Sequence, residues 1–236
     1  MNLRKVFVVA MDNEAAAVTA HFEGVSEETV FSRRVIRGTL DGEQTAIVVA
    51  GIGKSNAAAA AQLALCLFNP EVLLNVGVAG ALHAPMKVAE IYRVRAAVQY
   101  DFDLAQINGT KIGTLNEYQD REIPLDLAGN ALPEALLATG DRFNDSQVDY
   151  RFLVDNVKAD LRDMEGAAIA HVAYRAGVKF RSIKSVSDVA GSGSTTDQYL
   201  ANLKIALSSL SAAIPAFFGI KSPSALGNYR CGDEIL

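Results

Sequence analysis

The hydrophobic positions of this chain fall into short unbroken runs separated by alanine-rich stretches. Val6 to Ala10, Thr45 to Ala50 and Val72 to Val76 are β-rich and almost wholly apolar, the pattern of strands buried on both faces. Phe180 to Val186 reads as a further strand, and Val88 to Phe102 alternates enough for one or two more. Ser55 to Phe68 follows a turn at Gly51-Ile52-Gly53, and its alanines predict a helix. Met164 to Gly177 is a second helix, closed by Gly177, and a long final helix starts near Asp197 with Thr195 and Gln198 at capping-box spacing. Strands alternating with helices predict an α/β fold with a central, largely parallel or mixed sheet flanked by helices. No repeat or linker divides the chain, so residues 1–236 are expected to form one domain with a loosely packed tail after about residue 220. Asn108 to Asn130 has weak periodicity and reads as an excursion or interface loop.

Composition narrows the function classes. Half of the residues are hydrophobic and 21 % are charged, enough to bury a core without disulfides or metal. The net charge of −5, with no long Lys/Arg run, disfavours nucleic acid and favours a small-molecule partner. Asp12 and Glu14 interrupt the apolar start before it becomes a signal-peptide core, and no apolar stretch reads as bilayer-spanning, so a cytoplasmic location is expected. Cys66 lies in an apolar run and is expected to be buried, whereas Cys231 lies in a polar tail. His21, His83 and His171 are isolated from one another, without the spacing of a zinc site, so no metal is expected.

Gly51-Ile52-Gly53-Lys54-Ser55 is similar to a phosphate loop, but Val48 stands where that spacing requires its first glycine. Asn56 likewise occupies the last glycine position of GxGxxG, so a tight strand-to-helix turn is the better reading. Three acids are more informative. Glu14 lies just past the first strand and Asp188 just past the last. Ligands of open α/β sheets bind outside the carboxyl ends of strands, so both can face one crevice. Glu165 precedes an apolar helix and, taken alone, is better explained as a partner of the helix dipole.

Five segments change that balance: Ala10-Met11-Asp12-Asn13-Glu14, Gly51 to Ala57, Asn75-Val76-Gly77-Val78-Ala79-Gly80, Asp163-Met164-Glu165-Gly166-Ala167-Ala168 and Val186-Ser187-Asp188. In order and spacing they resemble the motifs of the 5′-methylthioadenosine/S-adenosylhomocysteine nucleosidases, from about Lys5 to Phe217. The resemblance implies the nucleoside phosphorylase-like fold, a homodimer, and hydrolysis of a 5′-modified adenosine to adenine and a free thioribose sugar without a cofactor.

Residue by residue, the resemblance assigns Glu14 to activating water, Asp188 to protonating the purine and Glu165 to holding the ribose hydroxyls. Phe143 takes the place of the base-stacking aromatic, with Asn144 beside it. Met11 and Met164 offer adaptable apolar surface near the ribose. Ser187 is placed to steady Asp188, and Ile107 to approach the partner's ligand. The chemistry is coherent in itself, because breaking an N-glycosidic bond puts positive charge on the sugar and negative charge on the leaving base.

Two positions depart from the family: Val78 replaces a serine near the attacking water, and Lys184 replaces an arginine. The segment Asp101 to Pro124 also matches poorly. Rival readings are a purine nucleoside phosphorylase, a futalosine-type hydrolase and a catalytically silent nucleoside-binding protein. Retention of all three carboxylates argues against silence. Water is the expected nucleophile, because Met11 to Glu14 is acidic where phosphate would need cations, and Lys184 is expected to pair with Glu14.

Overall fold

Strand β1 (Lys5–Val9) is buried on both faces, as its unbroken hydrophobicity requires. Val6 and Val8 pack with Ala57, Phe68 and Leu73, while Phe7 and Val9 pack with Leu74, Leu210 and Ile214 on the other side. The computed structural model describes residues 2–116, 118–127 and 132–218, so the tail expectation falls outside the described residues. After β1 come α1 (Asp12–Thr19), β2 (Glu23–Val30), β3 (Arg33–Leu40), β4 (Glu43–Val49), α2 (Lys54–Phe68), β5 (Val72–Ala81) and β6 (Ile91–Gln99). The second half holds α3 (Ala105–Asn108), β7 (Ile123–Pro124), β8 (Glu134–Thr139), α4 (Gln147–Arg151) running into a π-helical turn, β9 (Leu161–Asp163), α5 (Gly166–Arg175), β10 (Lys179–Val189) and α6 (Thr195–Phe217).

The sheet is mixed, as expected. β1 lies between β4 and β5, parallel to both, and β3 and β2 extend that side antiparallel. On the other side β5 pairs with β10 and β9, β10 with β6, β6 with β8, and β8 with β9, so these five strands close into a ring. The end of β5, which runs beside the end of parallel β10, therefore meets β9, whose Arg162 lies opposite Gly80.

Helix faces follow their period. Ala57, Ala60, Ala61, Ala64 and Phe68 of α2 turn inward, and their small side chains let α5 approach closely. Cys66 falls off that face and is exposed, which corrects the expectation of a buried thiol. Gly177, at φ +67°, ends α5 with paired bonds, from its own amide to the Tyr174 carbonyl and from the Val178 amide to the Ala173 carbonyl. The cap of α6 is Ser194, which accepts from the Asp197 amide at 3.3 Å. Gln198 instead binds both backbone groups of Val189, so the capping box expected at Thr195 does not form. By length and composition α6 is apolar enough to cross a membrane, which corrects the sequence reading; Ala206, Leu210, Ile214 and Phe217 are buried on its sheet-facing side.

Candidate active site

Glu14 is positioned by its place at the third residue of α1. Its carboxylate reaches back to the N-terminal amides that the helix leaves unpaired: Oε2 accepts from Ala10 at 3.0 Å and from Met11 at 3.1 Å. Oε1 crosses to β5 and accepts from the Val78 amide at 3.1 Å. Gly77 permits this approach, because a Cβ there would lie 2.6 Å from Oε1. Burial pushes the Glu14 pKa up, opposed by Lys184 and the three amides. All three contacts are donors, so the surroundings accommodate the ionised form.

Behind Glu14 stands a second charged group. Lys184 is 2 % exposed and donates to Asp163 Oδ2 at 2.9 Å, so its direct partner is Asp163 rather than the expected Glu14. Burial opposes its charge, but Asp163, Glu14 and Glu165 outweigh that and raise its pKa. Asp163 also accepts from the Thr139 hydroxyl and the Gly166 amide, fixing the start of α5. Replacing Lys184 with Met leaves these acids unneutralised and is expected to cost about 3–5 kcal/mol of stability, read by denaturant unfolding. A loss below ~1 kcal/mol would show that the acids relax by taking up protons.

Glu165 occupies the N-cap position of α5, at the strand-to-helix junction, but turns its side chain away from the helix's own amides. Its Oε1 accepts from the Gly53 amide at 2.7 Å, which gives the Gly51-Ile52-Gly53 turn a structural purpose. Gly53 has φ +101°, a conformation that favours glycine. Burial and the neighbouring Asp163 raise the Glu165 pKa to about 7.

Asp188 is set by an irregularity in β10. The pairing with β5 shifts register between Val186 and Asp188, and this bulge turns both Ser187 and Asp188 to the cavity. The Ser187 hydroxyl donates to Asp188 Oδ2 at 2.8 Å, as expected, whereas Oδ1 is buried with no hydrogen-bond partner. Burial raises the Asp188 pKa, with Ser187 and Arg162 acting against it.

These groups line one cavity of about 400 Å³. Met11, Glu14, Val78, Phe143, Met164, Glu165, Ser187 and Asp188 were all anticipated from sequence, and the structure brings them together. Three other anticipated residues do not line it. Asn144 turns its side chain to Asp149 and the Ser146 amide, Lys184 lies beneath, and Ile107 stands 81 % exposed on α3. Arg162 and Tyr199 are lining residues that sequence reasoning missed. Tyr199 packs edge-on against Phe143 with centroids 5.6 Å apart, and its hydroxyl donates to Met11 Sδ at 3.4 Å. Among the described residues no group of three or more His, Cys, Asp or Glu is arranged to hold a metal ion.

The arrangement combines an apolar, aromatic-edged slot with carboxylates in different environments, which suits bond cleavage between a flat base and a polyhydroxylated sugar. Comparison with known proteins points the same way. The phosphorylase superfamily model matches residues 4–218. The 5′-methylthioadenosine/S-adenosylhomocysteine nucleosidase of Anoxybacillus flavithermus is 31 % identical over 81 % of this chain and 88 % of its own. That of Halalkalibacterium halodurans is 29 % identical over 89 % and 96 %. The adenine-bound crystal structure of the nucleosidase from Colwellia psychrerythraea superposes with a TM-score of 0.84 at 26 % identity, covering 93 % of this chain and 96 % of that one. With its buried acids, bulged strand and matching length, the chain belongs to the phosphorylase superfamily and, within it, to the 5′-methylthioadenosine/S-adenosylhomocysteine nucleosidase family.

Proposed function

We propose that the protein hydrolyses the N-glycosidic bond of a 5′-modified adenine nucleoside, methylthioadenosine or S-adenosylhomocysteine, releasing adenine and a free thioribose sugar. The observation that carries this reading is the pairing of two buried acids in one cavity: Glu14 held by three donors, and Asp188 with one oxygen unpaired. In the proposed reaction the bond to the purine breaks with its electrons passing to the base. Asp188 gives the base a proton, water oxygen bonds to the anomeric carbon, and Glu14 takes the proton that the water loses. Glu165 binds the ribose hydroxyls, while Phe143 and Tyr199 cover the base.

Water is favoured over phosphate because of where the cations lie. Lys184 is engaged by Asp163 and faces Glu14 and Glu165 as well, so an incoming dianion would meet three acids around one ammonium. Arg162 belongs to the Asp188 end of the cavity. The test is a panel of adenosine, inosine and 5′-substituted nucleosides, each with and without phosphate. Phosphate-independent release of adenine with free sugar is expected; a sugar 1-phosphate product, or release of hypoxanthine alone, would overturn the assignment.

The reading extends to a homodimer in which the region around Ile107 walls the neighbouring cavity, and to a cytoplasmic enzyme of methionine salvage. The exposure of Ile107 on α3 and of Ile52 and Phe143 on the cavity lining supports the dimer. Sedimentation at micromolar concentration should give twice the 25.1 kDa chain mass, and a monomer would refute it. Cell fractionation checks the location.

A further inference from the structure

Among the described residues Arg162 is the one cavity-lining cation, and no step of the proposed hydrolysis uses it. It comes from β9, where its residue lies opposite Gly80, and its guanidinium is anchored on both sides. One terminal nitrogen donates to the Asn144 carbonyl at 2.9 Å and the other to the Thr195 hydroxyl at 3.0 Å, joining the loop after β8 to the start of α6. The second of these nitrogens also lies 3.8 Å from Asp188 Oδ1. That separation is an ion pair without a hydrogen bond, and Oδ1 has no other partner. Gly80 keeps the path between them clear: a Cβ there would sit 2.7 Å from Asp188 Oδ1 and 3.2 Å from Arg162 Nε. Arg162 also lines an adjoining cavity of about 320 Å³, so it stands as the wall between the two.

We propose that Arg162 is a positioning residue for Asp188, a fixed cation that stabilises the carboxylate left behind when the acid has given up its proton. The inference rests on the hydrolase reading above. While Asp188 is protonated, the guanidinium at 3.8 Å takes nothing from the Oδ1 hydroxyl, which stays free to donate to the base. Once the proton has moved to the purine, the same oxygen is an anion on a buried side chain, and the cation is already in place without reorganisation.

Other groups facing Asp188 do not supply this. Ser187 on β10 offers one hydrogen bond to the other oxygen, Asp145 after β8 repels the anion, and β5 presents only Gly80. On α6, Tyr199 is neutral with its own pKa raised, and Thr195 binds Arg162 and Asp145. Arg162 is therefore the sole counter-charge among these neighbours, and it offsets part of the upward push that burial exerts on the acid.

The experiment compares R162M, which keeps the aliphatic stem, R162K, which keeps the charge, and R162Q, which keeps donors without charge. Two readouts are taken: the titration of the Asp188 carboxyl by infrared difference spectroscopy against D188N, and the pH dependence of kcat/KM for adenine release. In R162M the carboxyl is expected to titrate about one pH unit higher, with the alkaline limb of the rate profile moving the same way and kcat at neutral pH falling about tenfold. R162K should bring the titration back toward wild type and R162Q should not. An unmoved titration in R162M, or equal recovery by R162Q and R162K, would overturn the proposal. If R162M fails to fold, the R162K and R162Q pair decides alone. The infrared readout does not need turnover: a shifted carboxyl in a protein whose wild type releases no base would sustain Arg162's role and reject the hydrolase reading, whereas normal base release with unmoved carboxyls would do the reverse.

Discussion

Asp188→Asn is expected to lower kcat by about 10²- to 10⁴-fold while nucleoside binding stays within a few-fold of wild type. The two carboxyl oxygens of Asp188 stand in different surroundings. Oδ2 already accepts from the Ser187 hydroxyl, so a proton on the acid belongs on Oδ1, the oxygen without a hydrogen-bond partner. Asparagine has the same shape and can keep the Ser187 bond through its carbonyl, with its amide nitrogen in the place of Oδ1. Packing and base recognition therefore survive. What is lost is the transferable proton, since an amide is far too weak an acid to give one to a departing purine. Because Asp188 must be protonated to act, activity in the wild type should fall as pH rises through its folded pKa, which burial has moved up. That alkaline limb should vanish from whatever rate Asp188→Asn retains. Adenine release and equilibrium binding, measured on the same preparation, check the two halves separately; near-normal turnover would remove Asp188 from the leaving-group role.

The residues that make this site were legible in unequal measure. Glu14 and Asp188 could be placed because each follows an apolar strand run, and a strand end is where an α/β sheet presents chemistry, whereas Glu165 gained its place in the site only from the resemblance of Asp163-Met164-Glu165-Gly166-Ala167-Ala168 to the family's motif. Arg162 could not be placed, because it sits in Leu161-Arg162-Asp163, a three-residue strand too short to carry a period, and nothing local says that it will face Gly80. Tyr199 was hidden for a different reason. It lies one turn into α6, where its neighbours Leu200 and Ala201 are exposed, and only the tertiary placement of that turn over Met11 gives it a function. The hairpin of β2 and β3 escaped because β2 is an edge strand, exposed along nearly its whole length, and lacks the alternation that one buried face imposes. Its turn residues Phe31 and Ser32, both at positive φ, are also not the residues that normally signal such a turn. The pairing of Lys184 with Asp163 shows the same limit, since the sequence placed the lysine near the acids but could not say which acid its ammonium would reach.

Glu14→Gln should abolish turnover to a similar degree, for a reason that also carries a structural cost. Three backbone amides converge on the two carboxylate oxygens. Glutamine has one oxygen, so its amide nitrogen must point at a donor whichever way the side chain is turned. If it faces Val78, one bond between α1 and β5 is lost; if it faces Ala10 and Met11, two are lost at the start of α1. A buried amide left without a partner costs about 1–3 kcal/mol, so a measurable fall in unfolding free energy is expected beside the loss of activity. Lys184 also loses one of the anions that raise its pKa, although Asp163 remains bonded to it. The catalytic signature lies in the pH profile. Glu14 must be ionised to take a proton from water, so wild-type activity should fall as pH drops through its folded pKa, which burial sets above the ordinary glutamate value. Residual activity in Glu14→Gln should show no such acidic limb. Glu14→Asp separates the two effects, since it restores the carboxylate but withdraws it by one methylene from the amides: it should recover the limb without recovering the full rate. A Glu14→Gln protein that keeps the acidic limb and loses only stability would make Glu14 a helix-capping residue and transfer the work of activating water to another group.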